Sequence, residues 1–321
     1  MEHASLSVVV DGVKIPAVLT APPEPIAGVL LIPGSMNSDV DGNYAPMFPG
    51  QPAMAPHVYK DLAQHLAAGR LAVLRFAKSG PGTGTAVIDK EAAGEKFKTF
   101  PQRVRVAAAF LAELRRRIPG APSILAGHSE GAVVATLLAQ EHSEAAGVVL
   151  LSGPSQPLLH MMARQQFESD RRAGKTTPDS EHQYRAALAL IDDFVAERPL
   201  PQDLSGNPYA AFLQFVARPE NASYLRSLER VDPAAELAKV RQPVLIVQGG
   251  RDASVSPENA DMLRQVKPGA YVVRFPELQH MYKKVPEGLS PQESFAQNSE
   301  SDPAVAKAIA AWIEALLKPH P

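Results

Sequence analysis

One pentapeptide, Gly127-His128-Ser129-Glu130-Gly131, constrains the fold of this chain more than any other stretch. A short apolar run precedes it, and a segment rich in alanine, valine and leucine follows through Gln140. This succession predicts a strand, a turn too tight for side chains at the two glycine positions, and a helix. The serine at the apex of such a turn, Ser129, is then a candidate nucleophile, and the N–H of Glu130 at the helix start can face a developing oxyanion. The alternative is a structural turn whose serine has no chemical role.

Composition and charge exclude several classes of function. The chain has 321 residues, no cysteine and a formal net charge of −2. Without cysteine there is no disulfide framework, thiol nucleophile or thiolate metal site. The near-neutral charge gives no reason to expect nucleic acid or an anionic membrane as a partner, and no apolar run is long enough to span a bilayer. We expect a cytoplasmic protein that acts on a small molecule; the oligomeric state stays open.

Apolar runs alternate with helical patterns in the first and last parts of the chain. A hairpin is predicted around Asp11-Gly12, a pair typical of tight turns. Continuous apolar runs predict strands buried on both faces, and apolar residues three or four apart predict helices. The strand predictions are 27–32, 71–76, 123–126, 147–151, 243–247 and 270–275, and the helix predictions are 57–68, 104–118, 257–266 and 303–317. The expected fold class is α/β, with a mostly parallel central sheet and helices on both faces.

From about residue 155 to 240 the strand signal stops. Helical patterns take its place over Leu158 to Phe167, Glu181 to Ala196 and Tyr209 to Val216, with a polar stretch from Asp170 to Ser180. An insertion of this length between two core strands predicts a helical cap over the site. We therefore predict a core of residues 1–154 and 241–321 and a cap of residues 155–240.

The loop after the strand 27–32 is the expected source of a second oxyanion donor. Ser35, which follows Pro33-Gly34, is the candidate for this backbone N–H, with Met36 as the alternative and an ordinary surface loop as the third reading. Asp39 and Asp41 are expected to brace the loop, because their spacing does not fit a calcium-binding loop. The glycine-rich stretch 78–84 matches neither a phosphate-binding nor a dinucleotide-binding loop, so we expect neither cofactor nor metal.

A serine hydroxyl needs a base within hydrogen-bond reach, and that base needs an orienting acid. In folds with this turn the acid and then the histidine follow the serine, on loops at the ends of strands. Among the nine histidines only His280 and His320 lie far downstream, and His320 is next to the terminus. His280 is therefore the predicted base, and Asp252, beside the end of the strand 243–247, is the predicted acid. The alternatives are a surface histidine and an aspartate that caps a turn; His128 is expected to have a structural role.

These residues resemble the α/β-hydrolase superfamily, and the resemblance covers essentially the whole chain. The loop from Gly34 to Asn43, the stretch Tyr224 to Leu228 and the sequence His280-Met281-Tyr282-Lys283 are similar to a bacterial esterase and serine-aminopeptidase-like branch. This chain departs from that branch at Pro33, at Met36-Asn37 and at Lys78-Ser79-Gly80. These departures concern the oxyanion loop and the acyl pocket, and so the substrate more than the chemistry.

The expected activity is hydrolysis of a carboxylic ester through an acyl-enzyme on Ser129, with His280 as base, Asp252 as its orienting acid and the N–H groups of Glu130 and Ser35 as the oxyanion hole. Apolar cap residues shape the acyl pocket or, equally, pack the core of the cap: Leu158, Leu159, Met161, Met162, Phe212 and Phe215.

Two alternatives stay open at this point. One is an aminopeptidase or amidase, which needs cap carboxylates to hold a substrate amine; Asp192, Asp193 and Glu168 are the candidates. Adjacent residues on a helix point about 100° apart, so Asp192 and Asp193 do not aim easily at one ammonium. The other alternative is a non-catalytic ligand-binding protein of the same fold.

Overall fold

The chain folds around one sheet. The computed structural model describes residues 1–35, 38–44, 53–78, 87–88, 99–289, 293–294 and 296–318, without the side chains of residues 87, 88, 215 and 216. The alternative oxyanion residue Met36, most of the glycine-rich stretch 78–84 and His320 lie outside the described residues. The strands are β1 (Glu2–Val10), β2 (Val13–Ala21), β3 (Ala27–Ile32), β4 (Leu71–Phe76), β5 (Val87–Ile88), β6 (Ser123–His128), β7 (Gly147–Leu151), β8 (Val244–Gly249) and β9 (Tyr271–Phe275).

The spatial order of the strands is β1-β2-β4-β3-β6-β7-β8-β9, and β5 pairs with β2. All neighbours from β4 to β9 are parallel, whereas β2 pairs antiparallel with β1, β4 and β5. The predicted hairpin joins β1 to β2, with φ of 46° at Asp11 and 76° at Gly12. Two successive left-handed residues match the right-handed twist of the flanking strands. The prediction of a mostly parallel α/β sheet is confirmed.

Helices cover both faces of the sheet, which explains why every residue of β3, β4, β6, β7 and β8 is buried. These helices are α1 (Val58–Ala68), α2 (Pro101–Arg117), α3 (Glu130–Glu141), α9 (Glu258–Val266) and α10 (Pro303–Leu317). One apolar cluster joins the sheet to α1 and α10, and a second joins it to α2, α3 and α9. None of the helices that the structure describes is long and apolar enough to cross a membrane.

Five helices lie between β7 and β8, where the sequence predicts the cap. Four of them contribute to an apolar cluster separate from the sheet, which includes Leu159, Phe167, Ile191 and Phe194. The last, Pro233–Lys239, packs through Leu237 into a cluster of the sheet instead. A separate cluster is what allows such an insertion to keep its shape above the sheet. The helices are α4 (Leu158–Arg172), α5 (Ser180–Val195), α6 (Leu213–Val216), α7 (Pro219–Glu229) and α8 (Pro233–Lys239).

The sequence prediction for these helices is only partly right. The predicted helix from Tyr209 is wrong in its first half, because the side chain of Asn207 accepts a bond from the N–H of Tyr209 at 3.0 Å and holds a turn there. The helices α7 and α8 were not predicted. A signal for α8 exists in Asp232-Pro233, since the Asp232 carboxylate accepts from the N–H groups of Ala234 and Ala235.

A buried carboxylate holds two of these helices together. Glu229 at the end of α7 accepts from the N–H of Leu159 at 2.8 Å and of His160 at 3.1 Å, and lies 2.7 Å from Nδ1 of His160. The negative charge therefore sits at the positive end of α4. Its hydrogen bond to the imidazole also raises the pKa of His160.

The connection from α4 to α5 is the segment we expect a protease to reach first. Residues 171–177 are exposed apart from a half-buried Thr176, and Gly174 has φ of 65° with open space around it. Limited trypsin digestion followed by mass spectrometry is expected to show first cleavage after Arg172 or Lys175. First cleavage inside the sheet would contradict the predicted separation of core and cap.

Candidate active site

Ser129 occupies the sharp turn between β6 and α3. Its backbone has φ of 55° and ψ of −125°, and its N–H donates to the carbonyl oxygen of Leu151 at 2.8 Å. A Cβ on Gly131 would collide with the carbonyl oxygen of Ile32 and lie 2.7 Å from that of Pro33. A Cβ on Gly127 would collide with the backbone of Gly131. The two glycines therefore permit close backbone contact, and the contact keeps the serine in a conformation that a non-glycine residue rarely adopts.

Asp252 and His280 meet at the ends of neighbouring strands. Asp252 follows β8 and His280 follows β9; the His280 Nδ1 lies 2.8 Å from Asp252 Oδ2, and both residues are buried. The other oxygen, Asp252 Oδ1, accepts from the N–H groups of Ser254 and Val255, each at 2.9 Å. Backbone donors therefore hold Oδ1 of the carboxylate, and Oδ2 faces the imidazole of His280.

The charge state of Asp252 follows from these contacts. Burial by itself raises the pKa of this carboxyl, but the charge and hydrogen bond of His280 and the Val255 N–H outweigh burial, and the pKa lies below its usual value. Asp252 is thus ionised at neutral pH. An ionised carboxylate at Nδ1 favours the tautomer that carries its proton there, which leaves Nε2 of His280 available as a base.

The predicted site residues line one cavity of about 880 Å³. Ser129, His280 and Asp252 line it with Ser35 and Glu130. Its apolar wall comes from helices between β7 and β8 and from α3: Leu158, Met161, Met162, Leu228 and Val133.

The apolar cap residues named from the sequence have divided roles. Leu158, Met161 and Met162 line the cavity. Leu159 and Phe212 belong to the apolar cluster of the cap helices, so for them the packing interpretation holds. The side chain of Phe215 lies outside the described residues.

The two predicted oxyanion donors occupy the expected places. Glu130 is the first residue of α3, and Ser35 follows β3 after Pro33-Gly34. The N–H of Gly34 donates to the Tyr59 hydroxyl at 2.8 Å and is therefore engaged. Ser35 is the next residue of this loop, and it lines the cavity.

A chain of hydrogen bonds beneath the site links that loop to the histidine loop. The Tyr59 hydroxyl lies 3.2 Å from Nδ1 of His128, and Nε2 of His128 lies 2.9 Å from the carbonyl oxygen of His280. Because a carbonyl only accepts, Nε2 carries the proton, and Nδ1 then accepts from the tyrosine. Burial, with the adjacent His280, lowers the pKa of His128 to about 3. His128 is thus a neutral structural residue, as the sequence suggested, whereas Tyr59 was not singled out.

The aspartates of the loop 38–44 brace it, as expected. Asp39 Oδ1 accepts from the N–H groups of Asp41 and Asn43, each at 2.9 Å, and Asp39 Oδ2 accepts from the Asn43 side chain at 3.0 Å. Asp41 pairs with the buried Arg75 at 2.8 Å. Among the described residues there is no cluster of three or more side chains able to hold a metal ion.

Comparison with known proteins shows the family of the chain. A model of the Alpha/beta hydrolase family matches residues 29–292. Esterase EstD of Thermotoga maritima is 24% identical over 299 residues, an alignment that covers 90% of this chain and 62% of that protein. The chain therefore spans less than two thirds of the length of this curated relative.

Several solved structures share the fold. Est1E from Butyrivibrio proteoclasticus is 16% identical with a TM-score of 0.57, over 98% of each chain. An esterase of Pyrococcus furiosus is 15% identical with a TM-score of 0.57, over 99% of this chain and 92% of that one. A proline iminopeptidase of Mycobacterium smegmatis is 15% identical with a TM-score of 0.58, over 98% of each chain. At these identities the similarity concerns the fold alone.

The tight contact at Gly131 generates a stability prediction. Gly131→Ala places a methyl group against the Ile32 carbonyl and is expected to lower the free energy of unfolding by about 3 kcal/mol, as overpacking does. Gly206→Ala is the matched control, because nothing lies within 4 Å of that position; it should change stability by less than about 0.5 kcal/mol. Urea unfolding of both variants measures the difference, and equal stabilities would contradict the close contact.

Proposed function

The chain belongs to the alpha/beta hydrolase family, and from this we propose that it is a serine esterase, cleaving carboxylic esters through an acyl-enzyme intermediate. The observation that supports the proposal most directly is the meeting of three groups at one cavity. These are a serine with left-handed backbone, Ser129, and the hydrogen-bonded pair of His280 and Asp252. Each of these features serves nucleophilic catalysis by a hydroxyl, and their chain order is that of this fold family.

The proposed reaction has two half-reactions that use the same groups. The Ser129 hydroxyl attacks the ester carbonyl carbon while Nε2 of His280 takes its proton, and Asp252 stabilises the imidazolium that results. The N–H groups of Glu130 and Ser35 stabilise the negative charge on the tetrahedral oxygen. The alcohol leaves with the proton from His280, and a water molecule then attacks the acyl-enzyme with the same help. The products are the free carboxylic acid and Ser129 in its starting form.

The cavity supports a small, partly apolar ester as the substrate. Its volume, about 880 Å³, is in the range of sites for ligands of moderate size. The apolar wall of Leu158, Met161 and Met162 suits an acyl or alcohol group without charge. The polar side, which carries Ser129 and His280, suits the reacting carboxyl ester.

Esters are favoured over substrates with a free amine because the candidate carboxylates are engaged elsewhere. Asp193 pairs with Arg198 and Glu168 with Arg171, at 2.5 and 2.7 Å. Asp192 is largely exposed, 3.5 Å from Nε2 of His160. None of these three described carboxylates lies in the wall of the cavity. An aminopeptidase would need such a group to position its substrate, since an amine leaves less readily than an alkoxide.

The first test concerns the triad as a unit. Ser129→Ala or His280→Ala is expected to reduce kcat on an aryl ester by about 10⁴–10⁶, and the double variant should be little worse than either. Asp252→Asn should lose about 10⁴ because the wrong imidazole tautomer is favoured. Steady-state kinetics on each variant, with circular dichroism to verify folding, provide the measurement. Retention of more than about a tenth of wild-type kcat in His280→Ala would contradict the assigned base.

The second test separates the esterase from the two alternatives. We expect turnover of short-chain aryl esters with kcat/KM at least about 10²-fold above that for the matching aminoacyl anilides, since the cavity wall carries no free carboxylate for the amine among its described cap residues. Both series are run at neutral pH with Ser129→Ala as the blank. Comparable rates on anilides would indicate a peptidase with the same triad. Failure of a fluorophosphonate probe to label Ser129 would favour a non-catalytic binding protein.

A further inference from the structure

A buried cluster of charged side chains lies directly behind the predicted oxyanion hole. Lys78, Arg103 and Glu130 are each at most 5% exposed, although they come from three distant parts of the sequence. Arg103 Nε lies 3.3 Å and Lys78 Nζ lies 3.7 Å from the same Glu130 oxygen. The Tyr224 hydroxyl of α7 donates to that oxygen at 2.6 Å. Buried charges are costly unless they are paired, so this arrangement needs an explanation beyond chance.

Both cations also bind the backbone of the loop that carries Ser35. We call residues Pro33 to Ser35 the oxyanion loop. Arg103 Nη2 donates to the carbonyl oxygens of Pro33 at 2.5 Å and of Gly34 at 3.3 Å. Lys78 Nζ donates to the carbonyl oxygen of Ser35. All three carbonyls of the oxyanion loop therefore face the charged cluster.

Because peptide bonds are planar, these contacts with the carbonyls also orient the N–H groups of Gly34 and Ser35. In a trans peptide the carbonyl of one residue and the N–H of the next point in opposite directions. The N–H of Gly34 accordingly points away from Arg103, to the Tyr59 hydroxyl at 2.8 Å. By the same geometry, the bond from Arg103 to the Gly34 carbonyl turns the N–H of Ser35 away from the cluster. Gly34 and Ser35 both line the cavity on the side of Ser129.

We propose that Lys78 and Arg103 are positioning residues, which hold the oxyanion loop so that the Ser35 N–H faces the tetrahedral oxygen. Glu130 is their common counter-ion, and its own N–H is the second donor, so one residue joins the two halves of the oxyanion hole. The inference rests on the proposed esterase function. It adds residues that act through the loop without touching the substrate.

The charges of the cluster do not cancel. Two cations share one carboxylate, so the protonated cluster has one excess positive charge behind the site where an oxyanion forms. Within the described residues, the ionisable groups that face Lys78 are Glu130, Arg103 and the hydroxyl of Tyr224, whose pKa burial raises well above its usual value. Burial lowers the pKa of Lys78 to about 8, although Glu130 opposes the shift. As the pH rises through this value the lysine loses its proton and the cluster loses its excess charge.

The test compares Lys78→Met with the wild type. Methionine is unbranched and only one atom shorter than lysine, but it removes the charge and the donor to Ser35. We expect kcat on an aryl ester to fall by about 10²-fold with little change in KM, because the loop matters most when the oxyanion forms. The inhibition constant of phenylboronic acid, which forms a tetrahedral adduct with the serine, should rise in parallel. Fluorophosphonate titration gives the fraction of competent enzyme and corrects for misfolded protein.

Lys267→Met is the matched control. Lys267 also donates to a backbone carbonyl, that of Val240. Val240 precedes β8, whereas Asp252 follows it, so this bond lies at the end of β8 opposite the site. Lys267→Met should leave kcat and the inhibition constant of phenylboronic acid unchanged. Arg103→Lys is the second variant; a single ammonium cannot replace the guanidinium contacts to two carbonyls and to Glu130, so kcat should fall again.

The pH profile of the wild type supplies a measurement that needs no variant. We expect kcat to decrease severalfold as the pH rises through about 8, and Lys78→Met to lack this decrease. Suppose that Lys78→Met and Arg103→Lys fold and both keep the wild-type kcat and the wild-type inhibition constant of phenylboronic acid. That result would overturn the positioning role and leave the esterase proposal intact. A wild type that hydrolyses no ester and is not labelled at Ser129 would overturn both. If the variants do not fold, a flat wild-type profile above pH 8 rejects the role of Lys78.

Discussion

The backbone contact between the turn at Gly131 and the end of β3 is the constraint on which the site depends. It brings the N-terminus of α3 against the carbonyl oxygens of Ile32 and Pro33, which leaves no room for a side chain. Ser129 can keep a φ of 55° only because this contact and the bond from its N–H to Leu151 fix the residues around it. The same contact sets the distance between the nucleophile and the oxyanion loop. The position of Ser129 and its strained backbone conformation thus result from the same contact.

The rest of the site is held by two sets of polar groups on either side of the oxyanion loop. One side is neutral: the Gly34 N–H, the Tyr59 hydroxyl and the His128 ring lead in sequence to the carbonyl of His280. The other side is charged and consists of Lys78, Arg103 and Glu130. The oxyanion loop lies between them, with bonds to both. A neutral histidine suits this arrangement, because a second positive charge beside His280 would oppose formation of the imidazolium.

The sequence predicted the parts of the structure that have a local signal. The turn around Ser129 and the strands β3, β6 and β7 follow from glycine spacing and apolar runs. Chain order and the positions of Asp252 and His280 after predicted strands led to that pair, and the two side chains lie 2.8 Å apart. The supporting residues have no such signal. Nothing near Arg103 in the sequence indicates that its guanidinium reaches Pro33, because the two are 70 residues apart and meet only in the folded chain. For the same reason Tyr59 could not be told from any other buried aromatic residue of an amphipathic helix.

The helix α7 connects the wall of the cavity to the proposed oxyanion hole. Its Leu228 lines the cavity, while its Tyr224, one turn earlier, donates to Glu130 at 2.6 Å. Residues four apart lie on the same side of a helix, so a displacement of α7 shifts Leu228 and Tyr224 together. Under the proposed function, the shape of the pocket and the support of Glu130 are therefore coupled, and a change in cap packing at α7 is expected to alter kcat as well as KM.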